Sequence, residues 1–190
     1  MAMTTSMPAV RPLSVFTLAS SGRSGGALGS AALALVLLLL GLDAPAAWGN
    51  GCAIDDRERE VCLAAPAQRI AALSPGATEL VYAAGAGNQV VAVVAFSDYP
   101  PEARDVASVG NLGRIDLERL VTLQPDLVIG WVTGNPSEQP ETIEALGIPV
   151  FYIEPRDIEG VASAIERLAQ LAGSEEEGYR VADDFRDGMA

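Results

Sequence analysis

The stretch Phe96-Ser97-Asp98-Tyr99-Pro100-Pro101 sets two aromatic rings, a hydroxyl and a carboxylate side by side, just after the apolar run Val90-Val91-Ala92-Val93-Val94. Two kinds of chemistry fit such a set: the rings offer a stacking platform for a flat ligand, and Asp98 offers a general base. Proline donates nothing to a β-ladder, so the strand must end before the Pro-Pro pair and the rings sit on a fixed loop. The rest of the inventory narrows the choice. The 190-residue chain contains no His and no Lys. A Ser-His-Asp triad, a Walker lysine, a Schiff-base lysine and a histidine metal site are therefore all excluded. Carboxylates neighbour one another at Asp183-Asp184 and Glu175-Glu176-Glu177, but neighbours on a helix diverge, whereas acid/base work needs convergence in a cleft. Those runs read as solvated helix faces. Binding without chemistry is the first expectation, and an α/β enzyme using Asp98 is the remote alternative.

The elements that must position these residues are legible from pattern. A short apolar strand over Arg69–Leu73 runs straight into Ser74-Pro75-Gly76-Ala77, where Ser as N-cap and Pro at the first helical position start a helix ended by Gly85. Gly85-Ala86-Gly87 ends that helix, so it is no dinucleotide fingerprint, which needs strand before and helix after. A strand over Val90–Ala95 leads into the aromatic loop. Asp116 caps a helix over Leu117–Leu123, and the continuous apolar run Asp126–Trp131 reads as a strand buried on both faces. Thr133-Gly134-Asn135-Pro136 breaks it. A helix over Ser137–Leu146, a strand over Pro149–Ile153 and an amphipathic helix over Ile158–Ala172 follow. A last helix begins at Ser174, where Ser174 with Glu177 matches a capping box, and it still runs at Ala190.

Alternating strands and helices with tight connections predict an α/β fold, a parallel sheet flanked by helices, preceded by a short β-hairpin. Such sheets bind ligands beyond the C-terminal ends of their strands. That rim collects Ser74–Ala77, with free amides at a helix start, then Phe96, Ser97, Asp98 and Tyr99, the turn Gly110-Asn111-Leu112-Gly113, and Trp131, Thr133 and Asn135. Aromatics make up only 5% of the chain, yet Phe96, Tyr99 and Trp131 gather here. The competing readings are that Phe96 and Trp131 finish the core and that Tyr99 anchors its loop.

Residues 1–46 read as a secretory signal peptide: Arg11 and Arg23 precede the apolar segment Ala27–Leu42, and Ala44-Pro45-Ala46 offers a small-x-small cleavage site. An uncleaved anchor is the alternative. Cleavage removes two arginines and Asp43, taking the net charge from −13 to −14. So acidic a chain lacks the basic face that nucleic acid requires. Within residues 47–68, a hairpin centred on Arg57 places Cys52 opposite Cys62, and export favours a disulfide. Zinc would need two more ligands in a chain without His, and a lipid anchor would need an apolar residue at Gly49.

The succession R-I-A-A-L-S-P-G-A-T-E-L, F-S-D-Y-P-P, I-D-L-E-R-L-V-T-L-Q-P-D-L-V-I-G-W, G-N-P and L-G-I-P-V-F resembles the N-terminal lobe of the periplasmic binding proteins that serve ABC importers of cobalamin, siderophores and haem. The S-D-Y-P-P block and the W-x-x-G-N turn point to the cobalamin (vitamin B12) binders. The resemblance implies two α/β lobes joined by a rigid interlobe helix with the ligand clamped between them. Residues 69–173 would be the first lobe and 174–190 the start of the interlobe helix, with the second lobe absent, so weakened binding is expected. Ligand-facing positions would be Gly76, Ala77, Phe96, Leu112 and Trp131, with loop support from Ser97, Asp98, Tyr99 and Asn135. Leu112 departs from the family's aromatic there. Glu118 would dock on the membrane permease, though an acid in a first helical turn also serves the helix dipole. A periplasmic monomer is implied, not an enzyme, holding cobalamin as transported ligand with no cofactor and no metal. A siderophore or haem binder would need basic residues, and only Arg114 and Arg156 fall near the rim.

Overall fold

The computed structural model describes residues 51–136 and 138–189. The leader expected over residues 1–46 lies outside them. The order of elements is an antiparallel hairpin of β1 (Cys52–Ile54) and β2 (Glu60–Cys62), then β3 (Ile70–Ala72), α1 (Pro75–Ala83) and β4 (Val90–Ala92). A small hairpin of β5 (Gly110–Asn111) and β6 (Arg114–Ile115) leads to α2 (Leu117–Thr122) and β7 (Leu127–Trp131). Then come α3 (Glu138–Ala145), β8 (Val150–Ile153), α4 (Ile158–Ala172) and α5 (Glu175–Met189). Among the described residues no helix is long and apolar enough to cross a membrane.

The central sheet has four parallel strands in the order β4-β3-β7-β8. Period-two alternation sends its side chains to two cores. Ile70, Leu127, Ile129, Phe151 and Ile153 meet Val81 of α1, Ile165 and Leu168 of α4 and Ala182 of α5. Ala71, Leu73, Val128, Val150 and Tyr152 meet Leu120 of α2 and Ile143 of α3 on the opposite side. Each large side chain so buried contributes about 1.5–3 kcal/mol. A Cβ on Gly178 would collide with Ala169, so glycine there lets α5 lie close on α4.

Two local expectations are corrected. The strand expected over Val90–Ala95 pairs with β3 only through Ala92. Beyond it the chain turns to the segment before β5, where Val93 bridges Ser108 and the Ala95 amide donates to the Gly110 carbonyl at 2.8 Å. The capping box at Ser174 and Glu177 is not formed. Ser174 Oγ donates instead to the Ala84 carbonyl (2.6 Å), an orphan at the end of α1, and Glu177 pairs with Arg180.

Strand β8 is an edge, and the first hairpin covers it. Cys52 and Cys62 face each other in register and are joined by a disulfide. At the hairpin tip the Asp56 amide donates to the Tyr152 carbonyl (2.9 Å), Arg59 donates to the Val150 carbonyl (3.0 Å), and Asp56 accepts from the Glu154 amide. These bonds satisfy edge groups that would otherwise template foreign strands.

Candidate binding site

Trp131, the last residue of β7, lies at the carboxyl end of the sheet. A Cβ on Gly76 would stand 3.0 Å from the six-membered ring of the indole, and a Cβ on Gly134 3.1 Å from its pyrrole edge. The indole is thus wedged between two glycines that leave it just enough room. Leu112 approaches the same point, 3.5 Å from the Gly134 Cβ position, and keeps 39% of its surface exposed. Three of the expected residues, Gly76, Leu112 and Trp131, are therefore brought together, and Trp131 finishes the first core with one side while the other stays half-exposed.

One buried side chain staples these loops. Asn135 Oδ1 accepts from the Trp131 amide at 2.7 Å, and its Nδ2 donates to the Leu73 carbonyl (2.9 Å) and the Leu112 carbonyl (3.4 Å). The ends of β3, of β7 and of the Leu112 turn thus share one amide group. Asn111 Oδ1 closes that turn by accepting from the amides of Gly113 and Arg114, both at 3.0 Å. Gln139 of α3 accepts from the Ile115 amide and donates to the Gly113 carbonyl (3.0 Å), holding the turn from beneath.

Phe96 occupies the neighbouring loop with 86% of its surface exposed. Its φ is +68°, a left-handed conformation that a bulky residue rarely adopts and that costs on the order of 1–3 kcal/mol. An aromatic side chain held in strained backbone and left in solvent is a feature to be expected at a ligand contact. The loop is fixed from below by buried Ser97, whose Oγ meets Thr78 Oγ1 at 3.1 Å, and Thr78 also donates to the Ser74 carbonyl. The peptide bond between Tyr99 and Pro100 is cis.

The structure corrects the expectation for Ala77. It is fully buried in the first core, and its amide donates to Ser74 Oγ at 3.0 Å, because Ser74 caps α1 through that very group. Pro75 has no N–H, and the Gly76 amide is the one in this turn without a hydrogen-bond partner among the described residues. Tyr99 is 65% exposed, so its ring does not anchor the loop in the core. Asp98 supports the loop through its carbonyl, which accepts from Arg104 Nε at 3.1 Å. Its carboxylate makes no hydrogen bond or ion pair among the described residues, so nothing orients it as a base. Glu118 is exposed on α2, apart from the rim cluster. Of the two cations expected near the rim, Arg156 pairs with Glu154 at 3.3 Å and Arg114 is exposed, and Arg104 on the aromatic loop is a third.

Sequence reasoning missed Gly134, Thr78 and Gln139. Gly134 stood in the quoted turn beside Asn135, but only the packed indole shows how closely the ring crowds it. Thr78 lies one turn into α1, on the face that the Ser74 cap turns toward the aromatic loop.

A parallel sheet with its polar staples and exposed rings at the carboxyl ends defines a binding module. The periplasmic binding protein family model matches residues 70–190, and the chain belongs to that family. It is 46% identical over 121 residues to the vitamin B12-binding protein of Vibrio campbellii, an alignment covering 64% of this chain and 44% of that one. Among solved structures it is similar to the periplasmic vitamin B12 binding protein BtuF of Vibrio cholerae, with 40% identity, a TM-score of 0.63, and coverage of 65% of this chain and 49% of that one. The periplasmic heme-binding protein RhuT from Roseiflexus sp. RS-1 shares 32% identity, with a TM-score of 0.55 over 61% of this chain and 45% of its own. The chain spans about half the length of the relatives that it matches.

Proposed function

We propose that this protein captures a corrinoid, cobalamin, in the periplasm as the substrate-binding component of an ABC importer and delivers it to a membrane permease. The observation that carries the reading is the rim itself: Trp131 wedged between Gly76 and Gly134, and an exposed Phe96 held in left-handed backbone on the loop after β4. A corrin ring is flat, largely apolar and edged with amides. It stacks on rings and accepts or donates a few hydrogen bonds, and it asks for no catalytic side chain. Gly76, Phe96, Leu112 and Trp131 provide the contact surface in this reading. Ser97 and Asn135 hold it, and Glu118, exposed on α2, meets the permease.

The names of the more similar relatives support a corrinoid over a haem or siderophore cargo. A calorimetric titration with cyanocobalamin, haemin and a ferric siderophore tests the choice. Saturable, one-to-one binding of cyanocobalamin that weakens in Phe96→Ala is expected. Preference for haemin or the siderophore, or binding indifferent to Phe96→Ala, overturns the reading.

A further inference from the structure

The cysteine hairpin carries a third metal-binding group that the rim does not use. The Cys52 and Cys62 sulfurs and one Glu60 carboxylate oxygen all lie within 4.8 Å of one another. Register explains the convergence. Cys52 pairs with Cys62 across the hairpin, and Glu60, two residues before Cys62, shares its solvent side. Glu60 makes no hydrogen bond or ion pair with any described side chain, and both Glu60 and Cys62 are exposed beside a groove of about 350 Å³ that Arg59, Glu144, Pro149 and Val150 also line.

We propose that, once its disulfide is reduced, this hairpin binds one thiophilic divalent cation of the zinc class through Cys52, Cys62 and Glu60. Two thiolates and a carboxylate form a donor set that zinc accepts, with water or solvent in the fourth position. Reduction by a water-soluble phosphine breaks the S–S bond. Phosphorus gives up two electrons and takes oxygen from water, and the two water hydrogens protonate the sulfurs. The cation then displaces both thiol protons.

The site stays organised without the disulfide because the register is also fixed by polar bonds. Buried Asp55 accepts from the amides of Arg57 and Arg59, both at 2.9 Å, and the Asp55 amide returns a bond to the Arg59 carbonyl. Arg59 bridges Asp55 and Glu144, and Arg167 pairs with Asp56 at 2.9 Å. Two sulfurs separated by small side-chain rotations therefore remain beside Glu60.

The test uses the whole protein, reduced with the phosphine, freed of it without air, and titrated with cadmium. The thiolate-to-cadmium charge-transfer absorbance is expected to saturate at one ion per chain, and zinc should reverse it. The oxidised protein should show no such band. Glu60→Gln should keep the band, since both thiolates remain, while its midpoint moves to higher cadmium, and the exposed neighbour variant Glu58→Gln should titrate as wild type does. Circular dichroism of the reduced protein reports whether the fold is kept. A reduced, folded protein that shows no saturating band overturns the proposal, and so does a Glu60→Gln variant with an unchanged midpoint. A reduced protein that unfolds and binds cadmium indifferently to Glu60 overturns it as well.

Discussion

The β8 edge of the sheet and the rim at the carboxyl ends of its strands are held in opposite ways. Along the edge, the first hairpin is fixed by a disulfide, a buried carboxylate and bridging arginines, with Arg57 and Arg59 stacked on Tyr152 at 3.7 and 4.7 Å from the ring centroid. At the rim, exposed Phe96 and half-exposed Trp131 rest on a few neutral side chains, chiefly Asn135 and the Ser97–Thr78 pair. The difference teaches where rigidity is placed. Edge protection needs redundancy, because an open edge pairs with anything. A binding rim needs its rings bare, so the few bonds that hold it must lie beneath them.

If that contrast is right, removing Asp55 is the most damaging change. Asp55→Ala strips Arg59 of its buried partner and frees two hairpin amides, and it should cost about 3–5 kcal/mol in chemical denaturation, nearer the low end because Arg59 is partly solvated. A loss under about 1 kcal/mol, the range of an exposed pair, would erase the contrast from the hairpin side.

From the rim side, Asn135→Ala leaves the Trp131 amide and the Leu73 carbonyl unpaired under the surface. At about 1–3 kcal/mol for each buried orphan, the expected loss is roughly 2–6 kcal/mol. The near-ultraviolet circular dichroism of Trp131 should change with it, because the indole loses its fixed seat. Unchanged dichroism would mean that the two glycines alone hold the ring.

Phe96→Gly sharpens the comparison by separating fold from function. Relief of left-handed strain is worth about 1–2 kcal/mol, and the entropy of glycine takes back about 0.5–1. Stability should therefore hold or rise, by roughly 0–1.5 kcal/mol, while cyanocobalamin affinity falls. A variant that loses both would show Phe96 to be a packing residue.

The smallest effect lies on α5. Hydrogen bonds from Arg186 hold Glu159 below the ordinary glutamate range, and Arg180 does the same for Glu177. Groups so depressed stabilise the fold above their unfolded pKa and lose that contribution as pH falls through the folded value. Both pairs are exposed and screened, so denaturation midpoints of Arg186→Ala and wild type should differ slightly at neutral pH and converge in acid. A difference that grows in acid would contradict the sign.

Legibility in the sequence follows the same division. Strands and helices were readable because Leu127–Trp131 is a continuous apolar run, Ile158–Ala172 carries helical periodicity, and a cap such as Asp116 acts within three residues, accepting from the Arg119 amide. The Cys52–Cys62 pairing was readable because one short turn decides it. The Asp55–Arg59–Glu144 bridge was not, since Glu144 is 85 residues from Arg59. For the same reason Gln139 and Thr78 escaped notice, and Ala77 was misplaced, because whether a capped turn presents its amide or spends it on Ser74 depends on three dimensions. The placement of Phe96, Leu112 and Trp131 at the ends of the sheet was legible from their position after strands and turns, while the strain at Phe96 and the glycine wedge around Trp131 emerged only from the backbone.

The measurement that bears most directly on the rim is tryptophan emission during titration with cyanocobalamin, in wild type and in Trp131→Ala. The chain has two tryptophans, and the second, Trp48, remains as the internal reference. Saturable quenching in wild type that disappears in Trp131→Ala, with Trp48 emission left flat, is the predicted result. Quenching of equal midpoint and relative depth in the variant would put the ligand elsewhere and contradict the corrinoid site on this rim.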